Sequence, residues 1–286
     1  MKYLYYPGCS LKGSGKAYEE SLLAVFRALG VPLAELDDWN CCGATAYMSV
    51  EETKSYALAA RNLAIAEREG LDVIAPCSAC YLVLNKTQHA LQENAGIRSR
   101  VSGALGAAGL SYQGHVRVRH PLDVLINDIG LDAVKKKIVN PLKGRRFAPY
   151  YGCQLVRPYS TFDDPVNPVT MDKLVAAAGA ECVEYPLKTR CCGGSLTGTV
   201  PEVGQRLSYI LIKEAMKRKA EAIVTVCPLC QFNLDGYQDQ ISSRFSEVRL
   251  PIVYFTQVLG LAMGLPSGQL GIHRGIIDAG AVLTAR

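Results

Sequence analysis

Arg190-Cys191-Cys192-Gly193-Gly194 is the stretch on which the reading of this chain turns, because a close relative of it, Asn40-Cys41-Cys42-Gly43, stands earlier in the same chain. Working outward, residues 41, 42, 77 and 80 map onto 191, 192, 227 and 230 by one constant step of 150, and all eight are cysteines. A ninth and tenth cysteine, Cys9 and Cys153, are 144 residues apart, so the second copy carries six extra residues before its Cys-Cys pair, around the Pro-rich Thr161 to Val169. Ten of the 11 cysteines thus form two sets of five, and an internal duplication is the natural reading. The repeats are expected to divide the chain into domains of residues 1–143 and 144–286.

Composition narrows the class. A chain of 286 residues that is 49% hydrophobic and 20% charged can bury a sizeable core and is near the size at which one domain becomes two. The start, Met1-Lys2-Tyr3-Leu4-Tyr5-Tyr6-Pro7, has no long apolar segment with a small-residue cleavage site, so a cytoplasmic location is expected, if need be within a membrane-associated complex. The most apolar stretch, Ile252 to Leu265, is interrupted by Gln257 and is too short to span a bilayer. A formal charge of +5 is modest, anionic thiolate-bound clusters would offset part of it, and no basic stripe with interleaved aromatics points to nucleic acid. An odd cysteine count with two vicinal pairs and two Cys-x-x-Cys units argues for metal or redox chemistry rather than a secreted disulfide framework.

The pattern predicts the same element order twice. Residues 3 to 6 read as a strand running into Cys9; Leu22, Val25, Phe26 and Leu29 mark an amphipathic helix that Gly30 ends; residues 33 to 36 suggest a second strand before the Cys-Cys loop. Ser49 and Glu52 form a capping-box pattern opening a helix to about Glu69, and Thr199 and Glu202 repeat it 150 residues later. Strands at 73 to 75 and 223 to 226 then enter the Cys-x-x-Cys units, and strands at 147 to 151 and 182 to 185 complete the second copy. The expected fold class is α/β, with parallel-type sheets flanked by helices. Residues 97 to 139 read as further helical packing elements, with a helix start at His120-Pro121 and a solvated basic end at Lys135-Lys136-Lys137.

Each set gathers thiols from three successive strand ends, which in a parallel sheet converge on one edge. Zinc takes four such ligands in a structural site and is the minor alternative; five are one too many, and adjacent cysteines project apart along an extended backbone, which suits different irons of one cluster. Cys77, Cys80, Cys227 and Cys230 fall at helix starts, where unpaired N–H groups favour anionic sulfur. Neither set has the compact spacing of a bacterial ferredoxin. Cys182 has no counterpart in the first copy, where the same step lands on Pro32, and reads as a buried strand residue. None of the four histidines is paired at metal spacing; His273-Arg274 is a candidate anion site set against an ordinary surface pair.

Through both cysteine sets, and through Tyr6-Pro7-Gly8-Cys9-Ser10, Pro76-Cys77-Ser78-Ala79-Cys80 and Cys227-Pro228-Leu229-Cys230, the chain resembles the CCG-domain family and, within it, the B subunits of heterodisulfide reductases. The resemblance implies two pseudo-twofold-related CCG domains and two noncubane [4Fe-4S] clusters. Their ligands would be Cys9, Cys41, Cys42, Cys77 and Cys80 in one domain and Cys153, Cys191, Cys192, Cys227 and Cys230 in the other. It implies a disulfide substrate between the facing clusters, such as the coenzyme M-coenzyme B heterodisulfide, reduced to two thiols or formed in the sulfur-oxidising direction. Partners would be a ferredoxin-like C subunit and a flavin-containing A subunit, because this sequence has neither a flavin-type Gly-rich motif nor a ferredoxin module. The alternative is an iron-sulfur CCG subunit of a quinone-linked dehydrogenase for lactate, glycolate or succinate.

Overall fold

Two four-stranded parallel sheets carry the two cysteine sets in the computed structural model, which describes residues 2–44 and 46–283. In the first sheet β1 (Leu4–Tyr5), β2 (Ala34–Glu35), β3 (Val73–Ile74) and β4 (Val118–Arg119) lie in the order β2-β1-β3-β4. In the second, β5 (Arg146–Tyr150), β6 (Glu181–Cys182), β7 (Ala222–Thr225) and β8 (Ile252–Tyr254) lie in the matching order β6-β5-β7-β8. All pairings are parallel, Leu4 facing Ala34 and Val73, and Phe147 facing Cys182 and Ala222. The central strands are buried except for Arg146 at the start of β5, as strands covered by helices on both faces must be. In each sheet the order reverses beside the first strand of the repeat, so the carboxyl ends of β1 and β3, and of β5 and β7, flank a topological switch point where α/β sheets hold their ligands.

Contacts divide the chain into two units. One contains the residues through Cys9 together with Val31–Pro121, and the other contains Ser10–Gly30 together with the chain from Leu122 onward. Each sheet and its five cysteines lie within one unit. In the first, Tyr56, Ala60 and Ala64 on the helix Glu52–Glu69 pack with Leu91, Val101 and Leu105. In the second, Ala148, Tyr150, Val183, Tyr185, Leu211 and Ile223 build the core. This second unit also takes in the crossover helix Lys16–Ala28, whose Tyr18 ring stacks on Tyr254 at 4.5 Å and 7°. That stacking adds about 0.5–1.5 kcal/mol to the burial of the two rings. Ser21 Oγ and Thr256 Oγ1 share a buried hydrogen bond of 2.6 Å beside it.

Several local expectations need correction. The segment 97 to 139 holds a strand, β4, among its helices; Arg117-Val118-Arg119 hides it, since flanking arginines leave one apolar residue as its signal. Neither capping box forms. Ser49 lies inside a short helix, Ala46–Val50, and the next helix starts after Glu51; the second helix starts at Pro201, whose fixed φ suits the first helical position, after Val200. Cys182 is in a strand, but half-buried, because β6 is at the edge of its sheet. His120 does precede a helical turn, Pro121–Asp123, and Lys135 to Lys137 are exposed at the end of the helix Leu131–Lys136. The tail packs on the second unit: Leu270, Ile277 and Leu283 are buried, and Ile276 and Ile277 donate backbone N–H groups to Asp235.

Candidate metal centre

The helices Ser78–Glu93 and Pro228–Gly236 begin immediately after β3 and β7, with Cys77 and Cys227 as their N-cap residues in extended conformation. Cys80 and Cys230 follow one turn later, so each Cys-x-x-Cys presents two sulfurs where backbone N–H groups lack helical partners. The Cys-Cys pairs come from the loops after β2 and β6, Cys9 from a short helix, Gly8–Lys12, that follows β1, and Cys153 from the turn after β5. All ten predicted residues therefore stand at the carboxyl ends of their strands, five in each unit.

The sulfurs meet in matching ways. Cys42 Sγ is 3.4 Å from Cys80 Sγ, and Cys192 Sγ is 3.5 Å from Cys230 Sγ. Cys80 also contacts Cys77, and Cys230 contacts Cys227. Cys41 is hydrogen-bonded to Cys42 with Cys9 nearby, whereas Cys191 is hydrogen-bonded to Cys153 and accepts the Gly193 N–H at 3.3 Å. Cys42, Cys77, Cys80, Cys192, Cys227 and Cys230 are buried, Cys153 is half-buried, and Cys9, Cys41 and Cys191 are exposed. Each array thus has a buried floor and an open rim.

Crowded thiols cannot all ionise together. Hydrogen bonds from Cys41 and Cys80 pull Cys42 below the ordinary thiol range, and one from Cys153 does the same for Cys191. Their partners hold the protons: Cys80 is pushed up by its bonds to Cys42 and Cys77, and Cys230 by those to Cys192 and Cys227. A bound metal cation would expel those protons and turn every ligand into a thiolate.

Among the described residues no three His, Cys, Asp or Glu side chains are placed to hold a single metal ion. Neither array is preset as a tetrahedral zinc site, which needs four donors around one point. The surroundings do fit a bulkier group with many sulfur ligands. Gly8 and Gly152, at φ +61° and +73°, let the chain turn tightly past the Cys-x-x-Cys sulfurs; a Cβ there would lie 3.0 Å from Cys80 Sγ and 3.3 Å from Cys230 Sγ. Five thiols, helix N-termini and a backbone without side chains are the donor set and cradle an iron-sulfur cluster asks for.

Sequence reasoning missed the residues that brace the loops. Tyr6 and Tyr150, both fully buried, donate their hydroxyls to the carbonyls of Asn40 and Arg190, the residues just before the Cys-Cys pairs, at 2.8 and 2.6 Å. Burial and then the neighbouring thiols push both phenols up, so they remain donors. The signal was present, since Tyr6 and Tyr150 are separated by the same 144 residues as Cys9 and Cys153. Ser208 Oγ and Asn233 Nδ2 donate to the Cys192 carbonyl at 2.9 and 2.8 Å, without a matching residue type in the first copy. His120, fully buried, directs Nε2 to the Pro76 carbonyl at 3.2 Å, bracing the turn into Cys77. At the other candidate, Arg274 is engaged by Glu20 through two contacts of 2.8 Å, so the surface-pair reading holds there.

The cysteine-rich domain model named CCG matches this chain twice, over residues 3–85 and 147–235. Across 281 residues the chain is 32% identical to the 8-methylmenaquinol:fumarate reductase membrane anchor subunit of Wolinella succinogenes, covering 97% of this chain and 98% of that one. It is 34% identical to a protein of Archaeoglobus profundus named as like the B subunit of heterodisulfide reductase, over 92% of this chain and 91% of the other. It is 29% identical to the B subunit of the ferredoxin/F(420)H(2)-dependent CoB-CoM heterodisulfide reductase of Methanosarcina acetivorans, over 97% and 94%. A crystal structure of a hypothetical Helicobacter pylori protein shares the fold with a TM-score of 0.78 at 13% identity; it matches 97% of this chain, which spans about half, 52%, of that longer one.

Proposed function

This chain belongs to the CCG cysteine-rich domain family, and from that premise we propose that it is the catalytic, B-type subunit of a heterodisulfide reductase-like complex. Its reaction is reduction of a disulfide to two thiols, or the reverse in a sulfur-oxidising direction. The observation that carries this reading is the pair of five-thiol arrays, each with buried sulfurs below and exposed Cys9 and Cys41, or Cys191, at the rim. Cys9, Cys41, Cys42, Cys77 and Cys80 hold one noncubane [4Fe-4S] cluster; Cys153, Cys191, Cys192, Cys227 and Cys230 hold the other. Bound clusters of this kind supply one-electron transfer, and two together match the two electrons that opening a disulfide requires. The chain's own residues keep the buried ligands dry, place helix N-termini toward the anionic sulfurs and leave the rim open to a thiol or disulfide. A mere electron relay has no need of that opening.

Relatives named as subunits of reductase complexes imply further subunits, and the partners in this reading are a ferredoxin-like C subunit and a flavin-containing A subunit. No helix among the described residues is long and apolar enough to cross a membrane. A cytoplasmic site of action, within a membrane-associated complex where one forms, completes the reading, with the repeats bounded at residues 1–143 and 144–286. The second reading is a quinone-linked dehydrogenase or reductase component; what favours it is the near full-length similarity to the Wolinella succinogenes fumarate reductase protein.

The two part in one experiment. Anaerobically purified protein is assayed for iron and acid-labile sulfide, oxidised, and titrated with thiols or a quinone analogue under electron paramagnetic resonance. A new signal whose shape depends on the thiol is expected. Clusters indifferent to thiols and disulfides but perturbed by the quinone analogue would replace the first reading with the second.

A further inference from the structure

The two Cys-Cys loops differ in almost everything that holds them. Asn40 donates its N–H to Asn62 Oδ1 at 2.9 Å, and Asn62 Nδ2 returns a bond to the Asn40 carbonyl at 3.0 Å. The second loop instead has Ser208 and Asn233 on the Cys192 carbonyl. Each glycine after the pair does accept a hydroxyl, Gly43 from Ser55 and Gly193 from Thr197, but from non-equivalent positions; the brace kept at one position in both copies is a fully buried tyrosine three residues before Cys9 or Cys153, bonded to the carbonyl that precedes the pair. Its ring also lies under the strand-end glycine, with the position of a Cβ on Gly8 3.4 Å from Tyr6 Cε1 and that on Gly152 3.8 Å from Tyr150 Cε1. Each tyrosine therefore touches two of the three segments that deliver sulfurs to its array. Phenylalanine would fill the same space, so packing alone does not account for a hydroxyl at both places.

We infer that Tyr6 and Tyr150 are positioning residues for the two metal centres: each hydroxyl fixes the peptide before a Cys-Cys pair and so sets the direction in which the pair presents its sulfurs. The inference rests on the cluster reading above. A peptide carbonyl next to a metal site has two orientations open to it, and a fixed donor selects one. The hydroxyl acts through the cysteines and not on the metal, so its loss alters the ligand geometry of one centre while the other is untouched. The first loop keeps the Asn62 bond to the same carbonyl, so it depends less on its tyrosine than the second does.

The test uses the full-length, iron-loaded protein and three variants: Tyr6→Phe, Tyr150→Phe and Tyr185→Phe. Tyr185 is the control, because its buried hydroxyl donates to the Leu211 carbonyl at 2.9 Å, on the helix Pro201–Lys217 rather than on a Cys-Cys loop. Iron release to a chelator and the paramagnetic resonance spectrum of the oxidised, thiol-treated protein are recorded for each. In Tyr150→Phe half of the iron should leave up to about tenfold faster, the upper end of what one lost hydrogen bond is worth, and the signal of that half should change shape. Tyr6→Phe should show about a threefold effect on the other half, and Tyr185→Phe should match the wild type in both readouts. Unchanged release and spectra in the first two variants, with normal iron in the wild type, would overturn this inference and leave the cluster reading standing. A Tyr185→Phe protein that behaved like Tyr150→Phe would overturn it too, by reducing the effect to general stability. Wild-type protein that bound no iron would overturn both.

Discussion

Replacing Gly193 by alanine should disable the second of the two proposed metal centres without touching the first. Gly193 has φ +82°, a left-handed conformation that costs an L-residue about 1–2 kcal/mol. Its added methyl would also sit 2.7 Å from the Gly204 carbonyl oxygen and 2.8 Å from Gly204 Cα, both backbone atoms of the helix Pro201–Lys217. That helix cannot yield cheaply, since a Cβ on Gly204 would itself lie 2.6 Å from the Thr197 backbone nitrogen. Overpacking of this kind costs about 1–3 kcal/mol, so the substitution should destabilise the Cys191-Cys192 loop by about 2–5 kcal/mol in all. Gly70→Ala isolates the backbone part: φ is +66° and nothing lies within 4 Å of the new methyl, so about 1–2 kcal/mol is expected. Hydrogen exchange resolves the two units separately, which a single unfolding midpoint does not. Protection should fall around residues 191–204 in Gly193→Ala, and bound iron should approach half the wild-type content, while Gly70→Ala keeps all of it. Equal protection and equal iron in the two variants would refute the argument that the loop needs bare backbone against the helix.

On the proposed function, Cys42→Ser and Cys192→Ser should each lower iron by one cluster's worth and abolish disulfide reduction, while Cys182→Ser leaves both nearly intact; comparable iron loss in Cys182→Ser would require a different ligand set in the second unit. Acid stability should depend on Glu19, where burial alone would raise the carboxyl pKa but Lys12 and Lys16 bring it below its ordinary value. A depressed folded-state pKa contributes stability that is present above the unfolded value of about 4.3 and lost as pH falls through the folded one. Glu19→Gln should therefore lower exchange protection of the helix Lys16–Ala28 at pH 7 and flatten its decline below about pH 4; parallel pH profiles for variant and wild type would rule this out.

The cysteines were legible because metal chemistry admits few substitutes and spacing survives duplication. The constant step from 41, 42, 77 and 80 to 191, 192, 227 and 230 predicted two arrays, and the predicted strands at 73 to 75 and 223 to 226 correspond to β3 and β7. Weaker signals failed for identifiable reasons. A two-residue strand such as β4 has no room for alternation to show, and a Ser-x-x-Glu pattern cannot reveal that its serine already belongs to another helix. Tyr6 and Tyr150 read only as strand residues in the sequence; in the structure both are core residues, and the bond of each hydroxyl to the loop carbonyl gives them a second role.

By itself the sequence determined that the chain is a duplication, that each copy alternates strand and helix, and which ten thiols belong together. Covalent order and local periodicity suffice for that, since strands close in sequence that run parallel bring their carboxyl ends to one edge. Tertiary structure alone decided where the helix Lys16–Ala28 belongs. Its apolar face, with Leu22, Val25 and Phe26 buried, shows that it must pack against something, but an amphipathic stripe does not name its partner. The structure assigns it to the unit of the second sheet, where Tyr18 stacks on Tyr254, Ser21 pairs with Thr256, and the close approach of Gly271 to Ala17 leaves no room for a Cβ. Those contacts join residues more than two hundred positions apart, and only the packing of complementary surfaces could select them.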